Sequence, residues 1–332
     1  MRTKVAANLA KRMEADNKHI VIIINDWNEW VEGQRKIFFN LLAIIHKKYV
    51  SLRPKYFYMT NDSLYKIKDW IDDQQKRGRI TFPYQEVVKK FPAITEQGVK
   101  NALNRLVKKS EIVPVFRGFY AVIPIGYALR GMIPPELYID DLMKHLNRQY
   151  YISLLNAAVF YGAAHQQPQI FSVTTSYPPL RDTTKKGNRI IFIATRKTIP
   201  QAWLKPFRTE YGDIQVSKPE LTAADLITFQ KDIGGLNRAC TVLYELAESI
   251  IFEQLDKVFF DYVPTSTIQR LGYLLDSELE QPDLAKILFA KSQEFNCKFQ
   301  KTPLKNNKKT KNCETNAKWK IIINETIEID DL

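Results

Sequence analysis

The sequence has few cysteines and histidines, and neither residue is arranged for covalent or metal chemistry. Cys240, Cys297 and Cys313 are an odd number of thiols at wide spacing, which is neither a disulfide framework nor a zinc-binding pattern. The four histidines are scattered and form no pair at metal-ligand spacing. We therefore expect neither a bound metal nor a cofactor.

Long hydrophobic runs are also missing. Residues 41–45 form one of the longest apolar stretches, and a membrane-spanning helix needs roughly 20 apolar residues. Residues 1–19 contain basic side chains, but the apolar segment of a signal peptide does not follow them. These features predict a cytoplasmic protein without a membrane partner.

Recognisable catalytic motifs are absent as well. His165 has no activated Ser or Cys nucleophile beside it, so we interpret it as a helix-terminal residue that binds backbone carbonyls. A metal-dependent nuclease would need carboxylates on adjacent strands, and the predicted strands 170–174 and 189–194 contain none. Glu220 and Asp225 are interpreted as acids at a helix N-terminus. The chain is predicted not to be an enzyme.

Positive charge, by contrast, is abundant and unevenly distributed. The net charge is +13, and residues 62–122 contain 12 Lys/Arg against 7 Asp/Glu. Residues 298–318 contain 7 against 1, whereas residues 123–297 are balanced at 18 against 19. A basic excess in the first third of the chain indicates a polyanionic partner for that part.

The element order predicted for residues 62–122 is typical of a winged helix. Asp62 or Ser63 is expected to cap a helix that runs to about Lys76, because apolar residues recur there at spacings of three and four. A short strand, two helices at 84–90 and 96–109, and a hairpin with its turn at Arg117 and Gly118 follow.

A mixed α/β region is predicted after a Pro- and Gly-rich connector at residues 124–135. The predicted helices cover residues 136–146, 153–165, 221–228, 236–251, 266–275 and 284–289, and the predicted strands cover 170–174, 189–194, 213–216 and 319–324. The Lys- and Asn-rich residues 303–316 lack apolar periodicity and are expected to form a mobile loop. The predicted fold class is α/β (α+β), with an N-terminal winged helix-turn-helix over 59–124 and a mixed α/β domain over 133–332.

The helix predicted over residues 96–109 carries an outward face suited to DNA. Amide side chains can pair with adenine, Arg can pair with guanine, and Lys can bind phosphate. The hairpin turn would bring one more basic side chain to the DNA backbone. The predicted DNA-binding residues are Gln97, Lys100, Asn101, Asn104, Arg105, Lys108, Lys109 and Arg117. A solvated polar face, or a winged helix that binds protein, would explain the same pattern.

Six segments, in order, resemble AbiEi-type antitoxins of the type IV toxin–antitoxin (abortive infection) class. They are NRLVKKSEIVPVFRGFYAVIP at 104–124, IPPELYIDDLM at 133–143, YYISLLNAAVFYGAAHQQPQIFSV at 150–173, VSKPELTAADLI at 216–227, GGLNRACTVLYEL at 234–246 and WKIIINETIEID at 319–330.

The resemblance implies two activities. The winged helix would bind double-stranded DNA at the promoter of its own operon and repress that operon. The resemblance also allows several copies of the protein to bind the DNA cooperatively. The larger domain would counteract a nucleotidyltransferase-like toxin in phage defence, with or without direct contact. Two rival hypotheses remain: a winged-helix transcription factor with a ligand-sensing C-terminal domain, and a DNA-binding nuclease-like enzyme.

Residues 1–58 lie outside the resemblance and are an N-terminal extension of unknown role. They contain one amphipathic, basic stretch at residues 36–49 that would add a helix to the DNA-binding face. Alternatively, translation begins at Met59, directly before the expected helix cap. We favour the second interpretation, because the resembling region is complete without the extension.

Overall fold

A computed structural model of the chain describes residues 52–164 and 168–328, with side chains from residue 64 onward. Residues 1–51 and His165, for which the sequence raised expectations, lie outside this range. In the described part, no helix has the length and apolar character needed to cross a membrane. The predicted mixed α/β fold class is confirmed, since helices alternate with several sheets.

The first described part, which we call the helix–hairpin module, has three helices and a three-stranded antiparallel sheet. The sheet order is β1–β3–β2. Its elements are α1 (Leu52–Lys76), β1 (Thr81–Pro83), α2 (Tyr84–Lys90), α3 (Glu96–Lys108), β2 (Ile112–Phe116) and β3 (Phe119–Val122).

The start of α1 corrects one prediction. The helix begins at Leu52 rather than at a cap on Asp62 or Ser63. Pro54 lies in its first turn, where a missing N–H costs no hydrogen bond, and no Gly or Pro interrupts the residues that follow. The end of α1 agrees with the prediction, because Gly78 adopts a left-handed φ of 80° shortly after it.

The α/β region contains a mixed six-stranded sheet in the order β6–β7–β5–β4–β9–β8. The pairs β5–β7 and β4–β9 are parallel, and the other neighbours are antiparallel. Its strands are β4 (Tyr150–Ile152), β5 (Ile170–Ser176), β6 (Thr183–Lys185), β7 (Asn188–Thr195), β8 (Leu204–Thr209) and β9 (Gly212–Ser217).

Seven helices belong to the described part of this region, and several of them follow the last strand of the sheet in the chain. They are α4 (Ile139–His145), α5 (Leu154–Val159), α6 (Pro219–Thr228), α7 (Leu236–Leu246), α8 (Lys257–Tyr262), α9 (Thr265–Ser277) and α10 (Pro282–Glu294). Single 3-10 turns occur at Ile125–Tyr127, Pro135–Leu137, Gln201–Trp203, Gln230–Ile233, Ala247–Ser249 and Phe252–Gln254. A small sheet of β10 (Thr302–Pro303), β12 (Ile321–Ile322) and β11 (Thr315–Asn316) follows.

Three predicted helices are longer than the observed ones. The helix expected over 153–165 stops at Val159, and Gly162 then takes a left-handed φ of 76°. The helix expected over 236–251 continues only as a 3-10 turn after Leu246. The helix expected over 136–146 begins only at Ile139, after a 3-10 turn at Pro135–Leu137.

Two hydrophobic clusters form the core. One contains the buried residues of the helix–hairpin module together with sheet residues such as Val173 and Phe192. The other contains the helices α6 to α10 and Trp319. The connector takes part in the first cluster, since Ile133 is completely buried.

The Lys- and Asn-rich segment is attached at its start. Asn324 accepts a hydrogen bond from the Lys305 N–H at 3.0 Å and donates one to the Lys305 carbonyl at 2.9 Å. Lys305 and Lys308 both form ion pairs with Glu325. Mobility of residues 303–316 stays a prediction.

Candidate nucleic-acid interface

Helix α3 separates a buried apolar face from an exposed polar face. Val99, Leu103 and Leu106 are at most 1% exposed, because residues at spacings of three and four share one side of a helix. Of the eight predicted DNA-binding residues, Arg105 is half-buried and the other seven are exposed: Gln97, Lys100, Asn101, Asn104, Lys108, Lys109 and Arg117. Contact with DNA by these residues stays a prediction.

The turn before α3 sets the start of the helix. The Thr95 hydroxyl accepts a hydrogen bond from the Gly98 N–H at 3.2 Å, which satisfies one of the donors left free at a helix N-terminus. A Cβ on Gly98 would lie 2.9 Å from Cγ2 of Ile94, so only glycine fits this close turn without a shift. The first turn of α3 is therefore well defined.

Tyr84 joins the hairpin turn to the start of α3, and sequence reasoning missed it. Its backbone N–H donates to the Gly118 carbonyl at 2.8 Å, and its hydroxyl donates to the Glu96 carbonyl at 3.3 Å. The Lys100 ammonium lies 5.9 Å from the centre of its ring, within the range of a cation–π contact. Arg117, next to Gly118, is thus held at the same end of the module as the first turn of α3.

Two amide side chains on the exposed face are hydrogen-bonded to each other. Gln97 Nε2 donates to Asn101 Oδ1 at 3.0 Å, which is the usual i, i+4 spacing on a helix surface. The Asn101 amide group keeps both of its own N–H donors, and its oxygen keeps a second lone pair. Asn101 thus retains a donor and an acceptor, and its contact with a base stays a prediction.

Three of the six acids described in the helix–hairpin module are paired within it. Arg79 binds Glu86 through two hydrogen bonds of 2.6 Å, and Lys68 pairs with Glu111. Asp73 pairs with Arg77 at 2.8 Å. Within residues 64–164 and 168–328, no ion pair is formed by Lys89, Lys90, Lys100, Lys108, Lys109 or Arg117. Asp69, Asp72 and Glu96 likewise form no ion pair there, so the unpaired charge of the module is positive on balance.

The α/β region contains a buried polar network that the sequence did not suggest. The Tyr151 hydroxyl donates to Asp225 at 3.0 Å and lies 3.1 Å from the Tyr262 hydroxyl. Burial raises the pKa of Asp225 to about 8, because a charged carboxylate is unfavourable away from water. Asp225 is the seventh residue of α6 and fully enclosed, so its interpretation as an N-terminal acid was wrong.

Glu220, in contrast, does lie in the first turn of α6, as expected. Its carboxylate accepts a hydrogen bond from the Ile251 N–H at 2.8 Å. Among the described residues, no group of three or more His, Cys, Asp or Glu side chains could hold a metal ion. Tyr151 and Asp225 are buried and Tyr262 is half-buried, so the network joins β4, α6 and α8 as a structural contact.

These features define a mixed α/β protein with a basic helix–hairpin module at its surface. Residues 151–277 match the family model described as the AbiEi antitoxin C-terminal domain. The resemblance to AbiEi-type antitoxins is therefore confirmed over these residues, which we call the AbiEi domain. The match supports an antitoxin role in a toxin–antitoxin system and implies a cognate toxin, and the family is not one of enzymes.

The fold is similar to that of a solved structure. It is titled "Crystal structure of RV2827C protein from Mycobacterium tuberculosis", and it matches with a TM-score of 0.54 at 14% sequence identity. The match covers 76% of this chain and 89% of that chain. At this identity the similarity concerns the fold alone. No curated protein matches the chain.

Proposed function

We propose that the chain is the antitoxin and transcriptional autorepressor of a type IV toxin–antitoxin operon in the cytoplasm. The helix–hairpin module acts as a winged helix that binds the operon's promoter. The AbiEi domain counteracts a nucleotidyltransferase-like toxin. The observation that carries the DNA-binding part is the exposed polar face of α3, held beside the hairpin turn by Tyr84.

In this proposal α3 enters the major groove, whose width of about 12 Å admits a helix. Asn101 and Arg105 read base edges, and Lys100 binds a phosphate. Arg117 at the hairpin turn binds the backbone beside the groove. The unpaired basic side chains supply the attraction to DNA that does not depend on sequence.

The antitoxin part of the proposal is supported by the family match over residues 151–277. The cognate toxin and its nucleotidyltransferase character come from the resemblance in the sequence. Because the helix–hairpin module and the sheet share one hydrophobic cluster, point substitutions in the full chain separate the two activities better than truncation does.

The test uses two assays on one set of variants. The Lys100→Ala/Asn101→Ala/Arg105→Ala variant should lose repression of a reporter driven by the operon's own upstream region. It should still rescue growth when the adjacent toxin gene is expressed. The matched control is Lys286→Ala/Gln293→Ala/Lys298→Ala, which removes exposed side chains on and after α10.

The control variant should repress and rescue like the wild type. Full repression by the α3 variant would contradict the DNA-binding assignment. Failure of the wild-type chain to rescue growth would contradict the antitoxin assignment.

A further inference from the structure

A second hairpin turn lies at the other end of α3, and it belongs to the AbiEi domain. This turn joins β6 to β7 through Lys186 and Gly187. The Lys186 ammonium donates to the Gly131 carbonyl at 2.9 Å. A Cβ on Gly131 would lie 2.9 Å from that ammonium and 3.9 Å from the Ser110 hydroxyl. Ser110 follows the end of α3 by two residues, so the β6–β7 turn lies beside that end.

Strand β7 is held at two places, once against the connector and once against the helix–hairpin module. At its start, Asn188 Nδ2 donates to the Ile133 carbonyl at 2.9 Å. Further along, Phe192 packs edge-on against Phe116 at the end of β2, with ring centres 6.5 Å apart. The position of the β6–β7 turn relative to α3 is therefore set by packing at both places.

The turn itself is tight. Lys186 and Gly187 have φ angles of 43° and 88°, and two consecutive left-handed residues form the short turn that suits the twist of a β-hairpin. Lys185 and Asn188 pair directly across it. The backbone of such a turn is already ordered, so binding has to order only the side chains that it carries.

The surface around this turn is basic. Two acids lie near it, and both have partners: the Asp182 carboxylate accepts a hydrogen bond from the Phe192 N–H at 3.1 Å, and Glu111, next to Ser110, pairs with Lys68. Seven exposed basic side chains form no ion pair within the described residues. They are Lys108, Lys109, Arg130, Arg181, Lys185, Lys186 and Arg189.

We propose that the β6–β7 turn is a second contact with the DNA backbone, through which the AbiEi domain binds phosphates that flank the site of α3. The inference rests on the proposed DNA-binding function. α3 has 13 residues, a length of roughly 20 Å. Hairpin turns at its two ends are thus spaced to reach phosphates on both sides of a groove about 12 Å wide. The turn positions the protein on DNA without reading sequence.

The test removes two charges that make no hydrogen bond within the described residues. Binding of full-length Lys185→Ala/Arg189→Ala to the upstream duplex is measured by fluorescence anisotropy over a range of salt concentrations. The slope of log affinity against log salt should decrease in magnitude by about 1–2, because each phosphate contact contributes roughly 0.9. Affinity near 0.1 M salt should fall roughly tenfold, and preference for the operator sequence should be unchanged.

The matched control is Lys257→Ala/Lys286→Ala, which removes the same charge from exposed positions on α8 and α10. It should bind like the wild type. A second measurement uses wild-type protein and a duplex shortened on one flank. The shorter duplex should reduce the slope of log affinity against log salt by the same amount. Because this measurement uses only wild-type protein, it does not depend on whether the variant folds.

Equal slopes for the turn variant and its control, with binding lost in the α3 variant, would overturn this inference and leave the proposed function intact. Absence of DNA binding by the wild type would overturn both. The turn variant could instead lose toxin neutralisation or binding to RNA, with the salt dependence of its DNA affinity unchanged. The turn would then bind another partner, and the inference would be wrong.

Discussion

The Tyr84 hydroxyl donates a hydrogen bond to the Glu96 carbonyl, while the N–H of the same residue donates to Gly118. One residue thus ties the hairpin turn to the first turn of α3. The ring also lies under Lys100. Tyr84 therefore links three parts of the proposed DNA-binding surface without itself being a base-reading residue.

Tyr84→Ala is expected to weaken DNA binding about fivefold. The ring holds Lys100 in place through a cation–π contact that is worth about 0.5–1 kcal/mol at an exposed site. Without the ring, DNA binding must itself order Lys100 and the hairpin turn, and that ordering lowers the affinity. Tyr84→Phe keeps the ring under Lys100 and loses only the hydroxyl bond to the Glu96 carbonyl, so it should bind within about twofold of the wild type. Anisotropy titrations on the same duplex check both values. Wild-type affinity in a folded Tyr84→Ala variant would show that this linkage is irrelevant to binding.

Trp319 closes the core of the AbiEi domain from outside the residues matched to the family. A Cβ on Gly272 would lie 2.2 Å from Trp319 Cη2. An exposed helical Gly→Ala change normally stabilises by up to about 1 kcal/mol. Gly272→Ala should instead lower the free energy of unfolding by about 1–3 kcal/mol, as overpacked cores do. Urea unfolding followed by circular dichroism measures this.

The partner variant for this prediction is Trp319→Leu, which removes the ring. Gly272→Ala should lower the free energy of unfolding less in the Trp319→Leu variant than in the wild type, since the two positions are in contact. Equal costs in the two backgrounds would refute direct packing of the indole on Gly272.

The buried carboxyl of Asp225 should make the stability of the protein depend on pH. Its pKa in the folded state is about 8, above the value of about 3.9 for an unfolded chain. Between these values the folded protein holds a proton that the unfolded chain has released, so stability falls as pH rises toward 8. Asp225→Asn should flatten this decline and melt at least 2 °C higher at pH 8, a shift on the order of 1 kcal/mol.

Thermal melts at pH 6 and pH 8 test this prediction. The matched control is Asp232→Asn, at an exposed position, which should keep the wild-type pH dependence. A decline between pH 6 and pH 8 that is as steep in Asp225→Asn as in the wild type would disprove the role assigned to this carboxyl.

Regular periodicity explains which elements the sequence predicted. The buried face of α3 follows from Val99, Leu103 and Leu106 at helical spacing. Strand β4 was missed because its three residues are all buried, so it shows no alternation. β8 was missed for the opposite reason, since most of its side chains are polar or exposed.

The long-range contacts could not be predicted from spacing. Tyr151 meets Asp225 across 74 residues and Tyr262 across 111 residues, and no local pattern relates them. Tyr84 follows Pro83 at a helix start and looks like an ordinary amphipathic position. Its role depends on the hairpin folding back onto α2, which is a property of the tertiary structure.

The central claim is that α3 reads the promoter of the protein's own operon. The most direct measurement is the affinity of the full chain, and of Lys100→Ala/Asn101→Ala/Arg105→Ala, for the upstream duplex and for an unrelated duplex of equal length at one salt concentration. The wild type should prefer the upstream duplex, and the variant should lose about 1–3 kcal/mol of that preference for each base-reading residue. Equal wild-type affinity for the two duplexes, or an unchanged preference in the variant, would contradict the account.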